Sequence, residues 1–125
     1  MSTGFDIAVI GAGSGGLTVA AAAAQFGQKV VLFEKGLMGG DCLNYGCVPS
    51  KALIAASRYA HAMRSGGAYG IVPQEPQVDF AKVNAHVHRV IAASAPNDSV
   101  ERFETLGVTV VQAEARFRDA VTIEA

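Results

Sequence analysis

The only two cysteines of the chain, Cys42 and Cys47, are separated by four residues in the stretch GGDCLNYGCVPSK, Gly39 to Lys51. Such a pair can be a structural disulfide, two ligands of a metal ion, or a dithiol that opens and closes during a reaction. On a regular helix, residues five apart point in widely different directions. They could not meet the Cα separation of about 4.4–6.8 Å that a disulfide needs. A bond between these cysteines therefore requires an irregular segment, which Gly46 permits. Pro49 suits the first turn of a helix, where its missing N–H is no loss. Cys47 then falls beside a helix N-terminus, where a thiolate is stabilised. Lys51, one turn further on the same face, adds a positive charge for an anion, whether a thiolate or a reduced cofactor. A zinc site needs more ligands. His86 and His88 face different ways on a helix, and with His61 they read as solvated residues, so no metal site is expected. In a reducing compartment a redox-active pair is favoured over a permanent staple.

A second cluster precedes the cysteines. Gly11-Ala12-Gly13-Ser14-Gly15-Gly16 matches the pattern GxGxxG. It follows FDIAVI, Phe5 to Ile10, a short apolar run that reads as a buried strand. It precedes the alanine-rich stretch Leu17 to Phe26, which reads as a helix ended by Gly27. Lys29 to Phe33 (KVVLF) is a second strand, closed by Glu34. Strand, glycine turn, helix and strand make a βαβ unit, whose crossover implies parallel strands. In that context Gly11 permits the tight turn, Gly13 lets a pyrophosphate approach the backbone, and Gly16 lets the helix pack closely on the strand, aided by Ala20. The phosphates would lie at the positive end of the helix, near the backbone of Ser14 and Gly15. Glu34 is positioned to accept hydrogen bonds from a ribose, and its charge disfavours a 2′-phosphate, so NADP is not expected there. The fingerprint alone does not separate NAD from FAD.

The remaining elements must position these two clusters. Pro49 to about Arg64 reads as a helix stopped by Gly66-Gly67. After a loop containing Pro73 and Pro76, Asp79 is an N-cap candidate for a helix to about Ala95, with Val83, Val87, Val90 and Ile91 on its inner face. Pro96 is expected to start one further short helix, ending before Gly107. Val108 to Val111 reads as a strand, and Glu114 to Ala125 as a hairpin around Arg118-Asp119. The fold class expected is α/β, a Rossmann-like βαβ fold with a parallel sheet plus a β-hairpin or meander. The pattern stops within a strand, Val121 to Ala125, so the chain reads as truncated.

Bulk properties exclude several classes. With 125 residues, half of them hydrophobic and 17% charged, the chain is one domain long and can form a core. A net charge of −1 without a basic run gives nucleic-acid binding no support. The N-terminus MSTGFDIAVIG lacks the basic flank of a secretory signal, and Leu17 to Ala24 is too short to span a bilayer. A cytoplasmic protein without membrane association is expected.

Taken together, GAGSGG, Glu34 and GGDCLNYGCVPSK resemble the N-terminal FAD domain of the pyridine nucleotide-disulfide oxidoreductases, among which are dihydrolipoamide dehydrogenase, glutathione reductase and mercuric reductase. VVQAEARF, Val110 to Phe117, is similar to the stretch that passes the flavin's adenine in that family. The resemblance implies FAD at the glycine turn, held by Gly11, Gly13, Ser14, Gly15, Gly16, Glu34, Lys35, Gly40, Asp41, Cys47, Lys51 and Ala115. It also implies that Cys47 faces the flavin as the sheltered thiolate, that Cys42 is the exposed thiol attacking substrate, and that Lys51 stabilises the reduced flavin. Asp41 departs from the pattern: many members carry threonine or serine there, and a carboxylate would be repelled by phosphate unless turned away. With AEARF, the segment looks closer to mercuric-reductase-like members.

The function implied is electron transfer between NAD(P)H, FAD, a Cys42–Cys47 disulfide and a disulfide, dithiol or metal-ion substrate. Residues 1–125 would be the first part of the FAD domain, without the NAD(P) and interface domains of a homodimeric protein. Alone, they are expected to be inactive and to hold FAD weakly. The alternative is a non-catalytic nucleotide-binding module; a simple NAD-dependent dehydrogenase would leave the cysteine segment without a purpose.

Overall fold

A computed structural model describes residues 4–125; the first three residues of the N-terminus read above lie outside the described residues. The βαβ unit forms from β1 (Ile7–Ile10), α1 (Ser14–Gln25) and β2 (Val30–Phe33). A long excursion follows, through α2 (Gly40–Asn44), α3 (Cys47–Ser65), a 3-10 turn (Gly66–Tyr69), α4 (Phe80–Ser94), a second 3-10 turn (Ala95–Asp98) and α5 (Val100–Thr105). The chain then returns to the sheet as β3 (Val108–Val111) and ends in a separate antiparallel hairpin of β4 (Arg116–Asp119) and β5 (Thr122–Glu124). The main sheet is parallel, in the order β1-β2-β3, with Ile7 opposite Val30 and Val30 opposite Val108.

One face of this sheet carries the core. The register brings Val30 of β2 level with Val108 of β3 and Leu32 level with Val110, and Val30, Leu32 and Val108 pack with Leu17, Ala20 and Ala23 of α1 and Phe103 of α5. Phe103 is the largest side chain fully buried. The alanines of α1 serve twice: they favour helix, and their small side chains let the helix axis lie close to the sheet. Gly27, with φ +78°, supplies the left-handed residue that ends α1.

β1 differs from the buried strand expected. Phe5 and Asp6 precede it, and only Ile7 and Val9 point toward α1; Ile10 is 47% exposed. The reason is that, among the described residues, the helices cover the other face of the sheet, so alternate side chains of β1 stay open. The single helix expected after Pro96 is also divided. Pro96 lies in the first turn of the 3-10 segment, Ser99 is extended, and its Oγ accepts the Arg102 N–H at 3.2 Å to cap α5. The hairpin reverses at Ala120-Val121 instead of Arg118-Asp119. There the Asp119 carboxylate accepts the Val121 N–H at 2.9 Å, an aspartate turn that leaves Asp119 itself at the end of β4.

The other expectations correspond closely to the fold. Asp79 caps α4 by accepting the Lys82 N–H. Val83, Val87, Val90 and Ile91 are among its less exposed residues, on the side that packs against α3. Arg64 and Glu75 form an ion pair at 2.6 Å that ties the intervening loop to the end of α3. No helix among the described residues is long and apolar enough to cross a membrane.

Candidate functional site

The glycine turn, Glu34 and the cysteine segment all gather at the carboxyl ends of β1 and β2, the end of a parallel sheet where ligands are ordinarily bound. The glycines of the turn do different things. Gly11 has φ +100°, so it makes the turn. A Cβ on Gly16 would lie 1.9 Å from the Gly11 carbonyl oxygen, so only glycine lets α1 meet β1 here. A Cβ on Gly13 or Gly15 would meet nothing within 4 Å. These two positions border open space in front of α1, whose first backbone N–H groups have no partner within the helix and whose first turn holds no acidic residue. That space suits a pyrophosphate.

Glu34 secures the turn from below. Its carboxylate accepts the buried Ala12 N–H at 2.6 Å and the Gly36 N–H at 2.7 Å. Each oxygen keeps lone pairs for a further donor such as a ribose hydroxyl. Beside it Lys35 reaches Glu114 at 3.4 Å, linking the end of β2 to the stretch that holds Ala115. Both side chains are about three-quarters exposed, so this pair contributes little stability.

The cysteine segment is fastened directly onto the turn. The Gly39 N–H donates to the Ala12 carbonyl at 2.9 Å, and a Cβ on Gly40 would come within 2.7 Å of the Gly13 Cα. Both glycines have positive φ, +90° and +57°. The irregularity expected between the cysteines is confined to Tyr45 and Gly46. Cys42 lies within α2, and Cys47 is the first residue of α3, which begins two residues before the expected start at Pro49 and keeps Pro49 in its first turn. At Gly46 the backbone passes so near α2 that a Cβ would stand 2.9 Å from the Asp41 carbonyl oxygen. Asp41 is exposed in the first turn of α2.

Both cysteines are free thiols. The Cys42 thiol is held above its ordinary pKa, chiefly by its hydrogen bond to the Cys47 side chain and then by desolvation. The Cys47 backbone N–H and the charge of Lys51 pull the other way without prevailing. Lys51 thus acts on Cys42 as well as standing one turn from Cys47. The two thiols differ in exposure among the described residues: Cys47 is exposed and Cys42 half-buried. The cause is that α2 packs Cys42 inward while Cys47 begins a helix at the surface.

Cys42 is not closed off, however. It lines a cavity of about 430 Å³ bounded by Thr18 and Ala21 of α1, Val48 of α3, and Asp98 and Arg102 around the start of α5. The last two come from a distant part of the sequence, and no local motif marks them. His61, His86 and His88, by contrast, lie exposed on α3 and α4.

Known proteins resemble this chain in sequence and fold. The family profile "Pyridine nucleotide-disulphide oxidoreductase" covers residues 5–123. A mercuric reductase from Streptomyces lividans is 35% identical over 98% of this chain and 26% of its own length. A dihydrolipoyl dehydrogenase from Geobacillus stearothermophilus is 43% identical over 92% of this chain and 24% of its own. In fold, the chain is similar to the copper(II) complex of the HOCl-induced flavoprotein disulfide reductase RclA from Escherichia coli, with a TM-score of 0.73 at 22% identity, over 94% of this chain and 24% of that one. The chain therefore spans about a quarter of the length of these proteins.

Proposed function

Because the chain belongs to the pyridine nucleotide-disulphide oxidoreductase family, we propose that residues 1–125 are the first part of the FAD domain of a flavoprotein disulfide reductase. The observation that carries this reading is the fastening of the cysteine segment onto the glycine turn through Gly39 and Gly40. A dinucleotide held at the turn and a dithiol then belong to one rigid unit.

The residues present fit FAD. The backbone of Gly13, Ser14 and Gly15 would take the pyrophosphate, Glu34 the ribose, and Lys35 with Ala115 the adenine side, while Gly40 and Asp41 border the phosphates. When bound, the flavin would supply two-electron exchange between a nicotinamide and the thiols. Cys47, exposed on α3, is the thiol that faces it, and Lys51 favours negative charge on either partner. Cys42 is the substrate-side thiol, because it opens on the cavity beside α1 and α5. Lys51 and the Cys47 N–H favour its thiolate, against the Cys47 side chain and desolvation, which hold its pKa above the ordinary value. NAD(P)H, a homodimeric assembly and a cytoplasmic place complete the proposal. The substrate is a small disulfide or dithiol, or a metal ion.

The test is the visible spectrum of the flavoprotein the gene encodes, titrated anaerobically with NADH and then NADPH. A long-wavelength thiolate–flavin band that Cys47→Ser abolishes is expected. Bound flavin without such a band would leave a nucleotide-binding module with two bystander thiols.

A further inference from the structure

Between the two cysteines, α2 ends on the half-buried side chain of Asn44. Its Nδ2 donates to the Met38 carbonyl at 3.1 Å and to the Gly40 carbonyl at 2.9 Å. Both amide protons are thereby used. The two carbonyls stand on either side of Gly39, whose own N–H is bonded to the Ala12 carbonyl of the glycine turn at 2.9 Å.

That segment needs such a clamp. Gly39 and Gly40 are both left-handed, with φ +90° and +57°, and glycine leaves that conformation as freely as it enters it. α2 has five residues, too few for a helix to persist on its own hydrogen bonds. Leu43, 4% exposed, anchors it to the apolar interior, but an apolar contact has no direction. The Asn44 carboxamide does: it fixes the end of α2 on the backbone before and after Gly39. Close contacts then run both ways. A Cβ on Gly40 would come within 2.7 Å of the Gly13 Cα, and one on Gly46 within 2.9 Å of the Asp41 carbonyl oxygen. α2, which carries Cys42, is therefore seated between the dinucleotide turn and the first turn of α3, which carries Cys47.

We propose that Asn44 is a positioning residue whose two hydrogen bonds hold the pyrophosphate-binding turn and the thiol pair in one arrangement, so that their loss weakens flavin binding and frees Cys42 from Cys47 together. The inference rests on the reading of the chain as a flavin-binding dithiol unit. Asn44 acts through the backbone of Met38 and Gly40, not on the reacting atoms. Without the clamp α2 shifts on Leu43. The hydrogen bond to the Cys47 side chain and the desolvation that raise the Cys42 pKa then both weaken, so the thiol ionises at lower pH. The charged and titratable groups around Cys42 are unchanged by a neutral substitution: Asp41 on α2, Cys47 and Lys51 on α3, and Asp98 and Arg102 across the cavity.

Neutral substitutions are required, because a carboxylate at position 44 would itself raise the pKa of a neighbouring thiol. Asn44→Leu keeps the size of the side chain and leaves both carbonyls without its donor. Asn44→Ala lets water reach them, so its effects should have the same direction and be smaller. Asp79→Ala, which removes the cap of α4, is the control for lost stability alone.

Two readings are taken on the full flavoprotein, well below its Tm. The flavin Kd, from fluorescence, should rise at least about tenfold in Asn44→Leu and stay unchanged in Asp79→Ala. On the flavin-free, thiol-reduced protein, the pH inflection of Cys42 alkylation by iodoacetamide is followed by peptide mapping. It should move down in Asn44→Leu, move less in Asn44→Ala, and stay in place in Asp79→Ala. An asparagine that serves stability alone would lower Tm and move neither reading. An inflection that stays or rises, or flavin binding and inflection that do not change together, would overturn the proposal. Should Asn44→Leu not fold, Asn44→Ala decides by the same two readings. If the parent itself binds no flavin, the flavoprotein reading has failed and alkylation judges alone: a downward shift keeps Asn44 as the residue that positions the dithiol, and an unchanged inflection removes it.

Discussion

Replacing Gly16 by alanine places a methyl carbon 1.9 Å from the Gly11 carbonyl oxygen and 3.2 Å from Val9 Cγ1. The first contact is with backbone, so no side-chain rotation relieves it. Ordinary contact distances for heavy atoms are about 3.5 Å, so α1 must draw back from β1 by more than about 1 Å. Leu17, Ala20 and Ala23 project from the same helix into the core and would move with it. Gaps of that size forfeit roughly a quarter to a half of each dispersion contact. Overpacking of this kind costs up to about 3 kcal/mol, and the better helix propensity of alanine returns up to about 1 kcal/mol. The net loss of about 2 kcal/mol corresponds to a fall in Tm of roughly 6–12 °C for a domain of this size. Gly15→Ala is the control, since its methyl meets no atom within 4 Å. It should leave Tm unchanged or slightly raised, yet fill the space in front of α1 and weaken flavin binding by at least about tenfold. Circular dichroism on flavin-free protein reads the first effect, because bound ligand would itself add stability; flavin fluorescence reads the second. A Gly16→Ala protein melting within about 2 °C of the parent would refute the packing argument. A Gly15→Ala protein binding flavin normally would remove the phosphates from this end of the helix.

Glu34→Gln keeps one carbonyl acceptor but turns an amide NH₂ toward either the Ala12 or the Gly36 N–H, so stability should drop by about 1–2 kcal/mol; a denaturation midpoint equal to the parent's would argue against that anchor. Cys47→Ala removes the hydrogen bond that chiefly raises the Cys42 pKa while leaving Lys51 in place. The pH inflection of Cys42 alkylation should therefore move down, making the thiol react faster at any pH below it; an inflection that stays or rises contradicts the assignment. Ser99→Ala deletes the cap on α5, whose Phe103 is 1% exposed in the core, and should lower stability by about 1 kcal/mol in urea denaturation.

The features legible in the sequence were those decided over short stretches. The pattern GAGSGG between an apolar run and an alanine-rich run dictates a turn, a close helix and a parallel return, because Gly11 and Gly16 leave the backbone little else to do. Pro49 marked the first turn of α3, which begins two residues earlier at Cys47, and Asp79 set the start of α4, since each acts on its own first turn. Where local signals compete, reading along the chain missed by a step: Ser99 split the helix after Pro96, and Asp119 took the capping role in its turn and pushed the reversal to Ala120-Val121. Burial belonged to the tertiary structure alone. Nothing near Cys42 or Cys47 says which thiol is covered, because α2 and the long return through α5 decide it. The same return brings Asp98 and Arg102 to Cys42, and no spacing rule spans that separation. A chain's local grammar dictates where elements begin and end, whereas exposure and cavity lining depend on which distant elements the sheet draws together.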